Sequence, residues 1–365
     1  MKVVLVGGHL SPALAVFQKL KKEDVYYIGR KHSFEGDNAL SLEYQEIAKL
    51  GIPFFALKTA RLQRKFTKYT LLSFLKMPIG FYQALKILNK IKPDVVLCFG
   101  GYLSVPVGLA ASVLRMPIVI HEQTLAIGFA NKILSPLAKK ICISWESSEN
   151  FFPKEKTVLT GNPIKQDTLK LLNYKKILNN PPLIYITGGS SGSHAINGLV
   201  RNSLEKLLEK YVIFHQTGDS GLYNDFEKLT LIKNSLTEKY SKNYTLTKFL
   251  DVKESSQMLS KADLVVGRSG INTVTELIYL EKPALFIPLP FSQKNEQAKN
   301  ANFMKDLGLA EIIEQNFLTP DLFILEISSM FKNIKKYKLR KKVVFQNSTE
   351  NIINVLKDVY AKKTA

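Results

Sequence analysis

An apolar strand that runs into glycines and then into a helix occurs twice in the second half of this chain. The two stretches are residues 185–192, with the sequence YITGGSSG, and residues 265–270, with the sequence VVGRSG. A Gly/Ser turn at a helix start leaves several backbone N–H groups unpaired and aims them at one point, which is a ready site for phosphate. Two such turns in one half of the chain predict a diphosphate ligand.

Short runs of Val, Ile and Leu alternate with longer helical patterns along the chain, which is typical of parallel strands joined by crossover helices. The expected strands are residues 3–6, 26–28, 95–99, 118–120, 141–144, 158–160, 183–187, 212–216, 244–249, 264–267, 284–287 and 310–313. A length of 365 residues suits two domains. We therefore predict an α/β protein with two Rossmann-like parallel-sheet domains that face each other across a cleft, where both sheets present their carboxyl ends to ligands.

The domain boundary is placed at the turn GNP, residues 161–163, because it ends the first series of strands. The first domain then covers residues 1–163 and the second covers residues 164–345. Residues 346–365 carry apolar side chains at helical spacing behind a Ser or Thr cap. We predict that they form a C-terminal helix that returns to the first domain.

The chain carries 51 Lys and Arg against 31 Asp and Glu, a formal charge of +20. This excess predicts attraction to a polyanion, which could be nucleic acid, an anionic bilayer or a phosphorylated substrate. Cys98 and Cys142 both lie in apolar runs without a partner at metal-ligand spacing, which predicts reduced core residues in a cytosolic protein. Because no apolar run is long enough for a signal peptide or a membrane span, we expect a protein that is neither secreted nor integral.

A histidine follows the first strand, in the turn VGGHLSP at residues 6–12. A neutral imidazole suits taking a proton from a sugar hydroxyl at neutral pH, so His9 is a candidate base. A histidine at a helix start also caps the backbone, and both hypotheses stay open. The turn FGGYLSVP, residues 99–106, predicts a second anionic ligand, although tight strand-to-helix packing also demands glycines there.

Polar residues follow several other expected strands. The run HEQT at residues 121–124 is a candidate sugar contact, and its spacing excludes two zinc ligands on one helix. Glu276 can bind both hydroxyls of a ribose or simply favour a helix N-terminus. Because the chain has no Asp-x-Asp pair, we expect no metal, and helix N-termini with Arg268 would stabilise the leaving charge.

Eight motifs occur in one order along nearly the whole chain. They are GGH at 7–9, GGYLS at 100–104, HEQ at 121–123, GNP at 161–163, GGS at 188–190, HQTG at 215–218, RSG at 268–270 and EQAKNA at 296–301. This order resembles that of the peptidoglycan glycosyltransferases of family 28, which have the GT-B fold. The resemblance implies inverting transfer of N-acetylglucosamine from UDP-N-acetylglucosamine (UDP-GlcNAc) to lipid I, the lipid-linked muramyl-pentapeptide, to form lipid II.

The resemblance also implies a role for each domain. The second domain would bind the donor, with the Leu250 backbone on uracil and Glu276 on ribose, and the first domain would bind the acceptor and the membrane. Further donor-binding residues would be Thr124, Lys165, Ser190, Arg268, Ile271, Asn272, Thr273, Glu296 and Gln297. Acceptor-binding residues would be Gly7, Gly8, Gly100, Gly101, Tyr102 and Ser104, with His9 as base. No cofactor or metal is implied.

Three positions depart from the family pattern. The first loop is the short GGH where the family usually has GGTGGH, Thr124 replaces a common Asn, and Lys165 replaces a usual Arg. Lysine keeps the charge of arginine but lacks its planar fork.

The implied location is the cytoplasmic face of the cell membrane, as a peripheral protein with cell-wall synthesis proteins as possible partners. Residues 57–77 mix basic and apolar side chains, which suits lying on an anionic membrane surface or packing as a loop and helix in the core. The basic tract at residues 335–342 has no recognised nucleic-acid motif beside it, so we expect no nucleic acid. Two alternatives are a UDP-GlcNAc 2-epimerase-like isomerase and a catalytically dead membrane-docking subunit.

Overall fold

In the computed structural model, two parallel sheets contain every strand of the described residues. The structure describes residues 1–20, 24–32, 40–57, 68–172, 178–189, 192–219, 222–343 and 346–364. The strands are β1 (Val3–Val6), β2 (Val25–Gly29), β3 (Phe54–Ala56), β4 (Val95–Cys98), β5 (Ile118–Glu122), β6 (Lys140–Ile143), β7 (Thr157–Leu159), β8 (Leu183–Thr187), β9 (Val212–Gln216), β10 (Tyr244–Thr247), β11 (Leu264–Gly267), β12 (Ala284–Phe286) and β13 (Ala310–Ile312). The sheet orders are β3-β2-β1-β4-β5-β6-β7 and β10-β9-β8-β11-β12-β13.

Helices connect successive strands, as parallel pairing requires. They are α1 (Leu10–Phe17), α2 (Leu42–Lys49), α3 (Lys68–Ile91), α4 (Ser104–Val113), α5 (Phe129–Leu134), α6 (Gln166–Leu169), α7 (His194–Leu208), α8 (Asp225–Ser235), α9 (Glu238–Ser241), α10 (Val252–Lys261), α11 (Ile271–Tyr279), α12 (Glu296–Asp306), α13 (Pro320–Lys332) and α14 (Ser348–Thr364). The chain divides into two units, which are Met1–Lys165 with Phe345–Ala365, and Gln166–Val344.

The predicted α/β class and all of the predicted strands are confirmed, with ends that differ by one or two residues. The strand β3 was not predicted, because it has only three residues, at the edge of the sheet, and its two phenylalanines are only partly buried. The helical pattern at residues 81–91 belongs to α3, which begins earlier, at Lys68. Cys98 and Cys142 are both wholly buried, as predicted.

The last helix, α14, packs against α1, β4 and β6 of the first unit. Its Glu350 carboxylate lies 2.7 Å from the Lys19 ammonium. The Asn351 amide also donates to the Thr160 carbonyl at 3.3 Å. The buried apolar side chains of α14 thus lie on the side of the helix that packs against the first unit.

A buried hydrogen-bond network ties β9 to its neighbours in the second unit. His215 is wholly buried, with Nε2 3.1 Å from the Asn197 side-chain oxygen and Nδ1 3.0 Å from the Tyr244 hydroxyl. The Asn197 NH₂ group donates to the Thr217 carbonyl and to the Asp225 carboxylate. Since the Asn197 oxygen can only accept, Nε2 carries a proton, and because burial disfavours a second proton on the ring, Nδ1 accepts from the Tyr244 hydroxyl. The imidazole is therefore neutral in the folded protein.

Burial makes the second unit sensitive to acid through this histidine. Burial lowers the pKa of His215 to about 3, whereas an unfolded chain has a histidine pKa near roughly 6.5. Below about pH 6.5 the unfolded state therefore binds more protons than the folded state does. The stability that neutral His215 contributes is complete above that pH and is lost as the pH falls toward 3.

We predict that His215→Gln flattens the acid dependence of the second unit. Its unfolding free energy should fall less steeply between pH 6 and 5, by about 1 kcal/mol per pH unit relative to wild type, because glutamine does not titrate. Native-state hydrogen exchange of the β9 amides measures this slope. The matched control is His121→Gln in the first unit, where burial also lowers the histidine pKa, to about 4. An unchanged β9 slope in His215→Gln would contradict the assignment.

Candidate active site

The turns after β1 and β4 pack against each other backbone to backbone. A Cβ atom on Gly8 would lie 2.2 Å from the Gly100 carbonyl oxygen, and one on Gly101 would lie 2.9 Å from the Gly8 Cα atom. Gly101 also has a φ of +74°, in the left-handed region that favours glycine. These two turns therefore have a packing requirement for glycine that is independent of any ligand.

The neighbours of these turns are also defined. A Cβ atom on Gly7 would lie 1.8 Å from the Glu43 carboxylate, which accepts from the Tyr27 hydroxyl at 2.7 Å. The Ser104 hydroxyl is wholly buried and donates to the Gly100 carbonyl at 2.5 Å, while Tyr102 packs against the core. Ser104 thus closes its own turn.

His9 occupies the N-cap position of α1 without making a side-chain capping bond. In the described part of the chain, no residue forms a hydrogen bond with its imidazole. The side chain is partly exposed, and desolvation by the surrounding protein lowers its pKa to about 4. His9 is therefore neutral at pH 7 and can accept a proton, and the capping hypothesis is not supported.

A buried carboxylate organises the loop after β5. Glu122 is 2% exposed and accepts four hydrogen bonds. One carboxylate oxygen accepts from the Thr124 amide at 3.1 Å and the Thr124 hydroxyl at 2.7 Å. The other accepts from the Gly128 amide at 2.8 Å and the Asn131 NH₂ group at 3.1 Å. Glu122 thus fixes Thr124 and the start of α5 together.

Asn131 is a site candidate that the sequence analysis missed. Its amide also donates to the His121 carbonyl at 3.1 Å, and it lies beside Gly100, whose added Cβ would contact it at 3.4 Å. The residue stands within a helix, nine positions after Glu122, so no local pattern marks it. His121 itself is wholly buried, with Nε2 3.3 Å from both the Gly161 carbonyl and the Ser144 hydroxyl.

The turn after β8 leaves no free space beside two of its glycines, Gly188 and Gly192, whereas the space beside Gly189 is open. An added Cβ on Gly188 would lie 2.3 Å from the Ser193 nitrogen, and one on Gly192 would lie 2.0 Å from the Thr217 carbonyl oxygen. The Gly189 amide donates to the Thr187 hydroxyl oxygen at 3.0 Å. Ser193 caps α7, accepting from the Ile196 amide. The predicted contact Ser190 lies outside the described residues.

Arg268 follows β11, and its guanidinium forms hydrogen bonds with other residues of the protein. One guanidinium nitrogen donates to the Ile287 carbonyl at 2.7 Å. The other donates to the Ser193 hydroxyl oxygen at 2.8 Å and the Gln315 side-chain oxygen at 2.6 Å. The sequence predicts that Arg268 acts directly at the leaving group, and its observed contacts hold the surrounding loops together.

The helix α11 begins at the carboxyl end of β11 with Gly270 as its N-cap. Ile271 is buried, whereas Asn272 and Thr273 are partly exposed in the first turn, where backbone N–H groups have no helical partner. Glu276 is 5% exposed. The burial of Tyr185, together with the nearby Glu276 charge, raises the pKa of the Tyr185 hydroxyl to about 12.

The remaining donor candidates lie after three different strands. Leu250 follows β10, just before the Asp251 capping box of α10. Glu296 and Gln297 are partly exposed at the start of α12, and the Gln297 oxygen accepts from the Leu289 amide at 2.9 Å. Lys165 is 8% exposed, at the end of the first unit's main segment.

We predict that Glu122→Gln destabilises the first unit. The new NH₂ group would face hydrogen-bond donors, which should cost about 1–3 kcal/mol of unfolding free energy. Urea denaturation followed by the fluorescence of Trp145 measures this, because Trp145 is the chain's one tryptophan and donates to the Gln123 carbonyl at 2.8 Å. Glu149→Gln, at an exposed position, is the control and should unfold as wild type does. Equal midpoints for both variants would contradict the role of Glu122.

Two family models match the chain. The N-terminal domain of glycosyltransferase family 28 matches residues 6–143, and the C-terminal domain of the same family matches residues 183–356. Together they cover most of both units.

The solved structures also include close likenesses of fold. The crystal structure of Acinetobacter baumannii MurG matches with a TM-score of 0.68 and 25% identity, over 98% of this chain and 100% of that one. A UDP-GlcNAc 2-epimerase from Neisseria meningitidis matches with a TM-score of 0.65 at 16% identity, which is a likeness of fold alone, over 98% of this chain and 100% of that one. The predicted GT-B class is confirmed by these matches.

Relatives match over their whole length. The chain is 31% identical over 374 residues to the UDP-N-acetylglucosamine–N-acetylmuramyl-(pentapeptide) pyrophosphoryl-undecaprenol N-acetylglucosamine transferase of Lachnoclostridium phytofermentans, covering 99% of both chains. It is 32% identical over 372 residues to the protein of the same name from Clostridium botulinum, covering 98% of both. The chain therefore belongs to the MurG group of glycosyltransferase family 28.

Proposed function

We propose that this enzyme transfers N-acetylglucosamine from UDP-GlcNAc to lipid I, with inversion at the anomeric carbon, and so forms lipid II. The observation that carries the proposal is the whole-length similarity to transferases named for this reaction. The predicted site residues agree with the chemistry, because they lie at the carboxyl ends of parallel strands, where open α/β sheets bind ligands.

The mechanism assigns one chemical task to each unit. In the second unit, the starts of α7 and α11 offer backbone N–H groups to the diphosphate, and Glu276 binds the ribose. In the first unit, His9 takes the proton of the acceptor hydroxyl as its oxygen bonds to the anomeric carbon. The bond from that carbon to the UDP oxygen breaks, and UDP leaves with the negative charge that the helix starts stabilise.

Several finer assignments belong to the same proposal. Thr124, Glu296 and Gln297 would contact the transferred sugar, Lys165 the donor, and the turns at Gly8 and Gly100 the acceptor diphosphate. The reaction would need no metal, since the chain lacks the Asp-x-Asp pair that holds one in many enzymes using nucleotide sugars. Partners among cell-wall synthesis proteins stay a prediction.

We predict that His9→Ala lowers kcat by about 10²- to 10⁴-fold and changes the KM for UDP-GlcNAc little, because His9 acts on the acceptor hydroxyl. The assay follows UDP release from UDP-GlcNAc with and without a short-chain lipid I analogue. His32→Ala, at an exposed histidine of the same unit, is the matched control and should keep wild-type rates.

The same assay separates the alternatives. UDP turnover without any acceptor would indicate an isomerase or hydrolase instead. Binding of UDP without release under any acceptor would indicate an inactive docking subunit. The pH profile adds a second check. Since the His9 pKa is lowered to about 4, wild-type kcat/KM should hold its plateau down to pH 5.5, and a half-loss at pH 6.5 would contradict a base with this pKa.

A peripheral place at the cytoplasmic face of the cell membrane is the second part of the proposal. None of the helices in the described part of the chain has the length and apolarity that crossing a bilayer requires. Most of the predicted membrane segment, residues 57–77, lies outside the described residues or outside their described side chains.

Neighbouring helices of the first unit add exposed apolar surface. The helix α4 packs on both α3 and α5. Large apolar side chains on these helices are exposed, namely Ile79, Tyr82, Leu109, Val113, Phe129 and Ile133. Lysine accompanies them, with the Lys86 ammonium 4.6 Å from the Tyr82 ring centroid. Apolar side chains beside lysines suit the interface of an anionic bilayer.

We predict that Val113→Glu weakens flotation with vesicles of anionic phospholipid about tenfold, because the change removes apolar contact and adds repulsion. Leu231→Glu, on an equally exposed leucine of the second unit, is the matched control and should bind as wild type. Equal weakening by both variants would place membrane contact elsewhere.

A further inference from the structure

The guanidinium of Arg268 joins the ends of four neighbouring strands. It extends from the residue that follows β11 and donates to Ile287, which follows β12. It also donates to Ser193, in the turn after β8, and to Gln315, which follows β13. The strands are adjacent in the order β8-β11-β12-β13, so one side chain spans this part of the sheet edge.

The contact with Ser193 bears directly on the proposed diphosphate loop. Ser193 is the N-cap of α7 and lies against Gly188, with the space beside Gly188 already filled by the Ser193 backbone. The other side of the loop is fixed by Gly192 against the Thr217 carbonyl. A shift of Ser193 would therefore move the neighbouring Gly188 and the start of α7 with it, where backbone N–H groups have no helical partner.

Within the described part of the chain, no carboxylate neutralises the charge of Arg268. All three of its hydrogen-bond acceptors are uncharged, and among the described residues no carboxylate forms an ion pair with it. The side chain is partly buried, and burial lowers the pKa of the guanidinium, which nevertheless stays protonated at neutral pH. A partly buried cation without an anion indicates that an anionic ligand completes this edge.

We propose that Gln315 and Ser193 are positioning residues for donor binding, acting through Arg268. Gln315 holds the guanidinium from one side, the guanidinium holds Ser193, and Ser193 is the N-cap of α7, whose first backbone N–H groups would bind the diphosphate. The neutral amide at 315 matters because it orients the arginine and leaves its positive charge available to the diphosphate. This inference rests on the proposed function only in taking a uridine diphosphate sugar as the donor.

The test compares UDP with uridine, which lacks the phosphates, by competition against a fluorescent UDP-GlcNAc. Gln315→Ala should raise the Kd for UDP about tenfold and leave the Kd for uridine within twofold, because only the diphosphate meets the loop. Asn316→Ala, at the exposed neighbour in the same 3-10 turn, is the matched control and should change neither. Equal losses for UDP and uridine would overturn the proposal, since they would report general disruption.

Two further variants separate geometry from charge. Gln315→Glu keeps an oxygen that accepts from Arg268, so the melting temperature should stay unchanged. It should nevertheless weaken UDP binding at least as much as Gln315→Ala does, because the new carboxylate neutralises the guanidinium. In an Arg268→Lys background, Gln315→Ala should cost less than about twofold, because lysine cannot hold both partners. If the losses of UDP affinity from the two substitutions simply added, the proposal that Gln315 acts through Arg268 would be overturned. If UDP binding responds to these substitutions as stated but the protein transfers nothing to lipid I, only the proposed function is refuted, and the positioning role of Gln315 and Ser193 stands.

Discussion

Parallel strand pairing is the constraint on which the rest of this structure depends. Every ladder in both sheets is parallel, so each strand ends at the same edge as its neighbours and each connection must cross back through a helix. The edge is therefore crowded with turns, and two of them meet where Gly8 lies against Gly100. Crowding selects glycine, and the same crowding gathers unpaired N–H groups of the helix starts into a small volume.

Much of the fold could be predicted from the sequence because buried parallel strands appear in it as uninterrupted apolar runs. The runs at β1, β8 and β11 each end in glycine or a polar turn, and their positions are confirmed. The edge strand β3 could not be predicted, since three residues are too few for any periodicity. The start of α3 at Lys68 was also missed, because its apolar stripe is regular only toward its end.

The candidate site could be predicted only where the residue type itself carries the chemistry. His9 was predicted because a histidine beside glycines is conspicuous, and the structure adds only that it makes no capping bond. Gln315 and Asn131 could not be found, because their meaning comes from partners 47 and ten residues away in the chain. Glu122 stood in a marked motif, but only the structure reveals that its four hydrogen bonds come from the following loop and from helix α5.

The return of α14 to the first unit has a consequence for how the protein is made. The second unit is one continuous stretch of chain, whereas the first is split, with its final helix encoded after the whole of the second. During synthesis the second unit can fold while the first still lacks the helix that covers β4 and β6 and contacts α1. The apolar surface on that side of the first sheet stays open to solvent until the chain beyond the second unit has been made, so the first unit cannot be completed before the second has been synthesised.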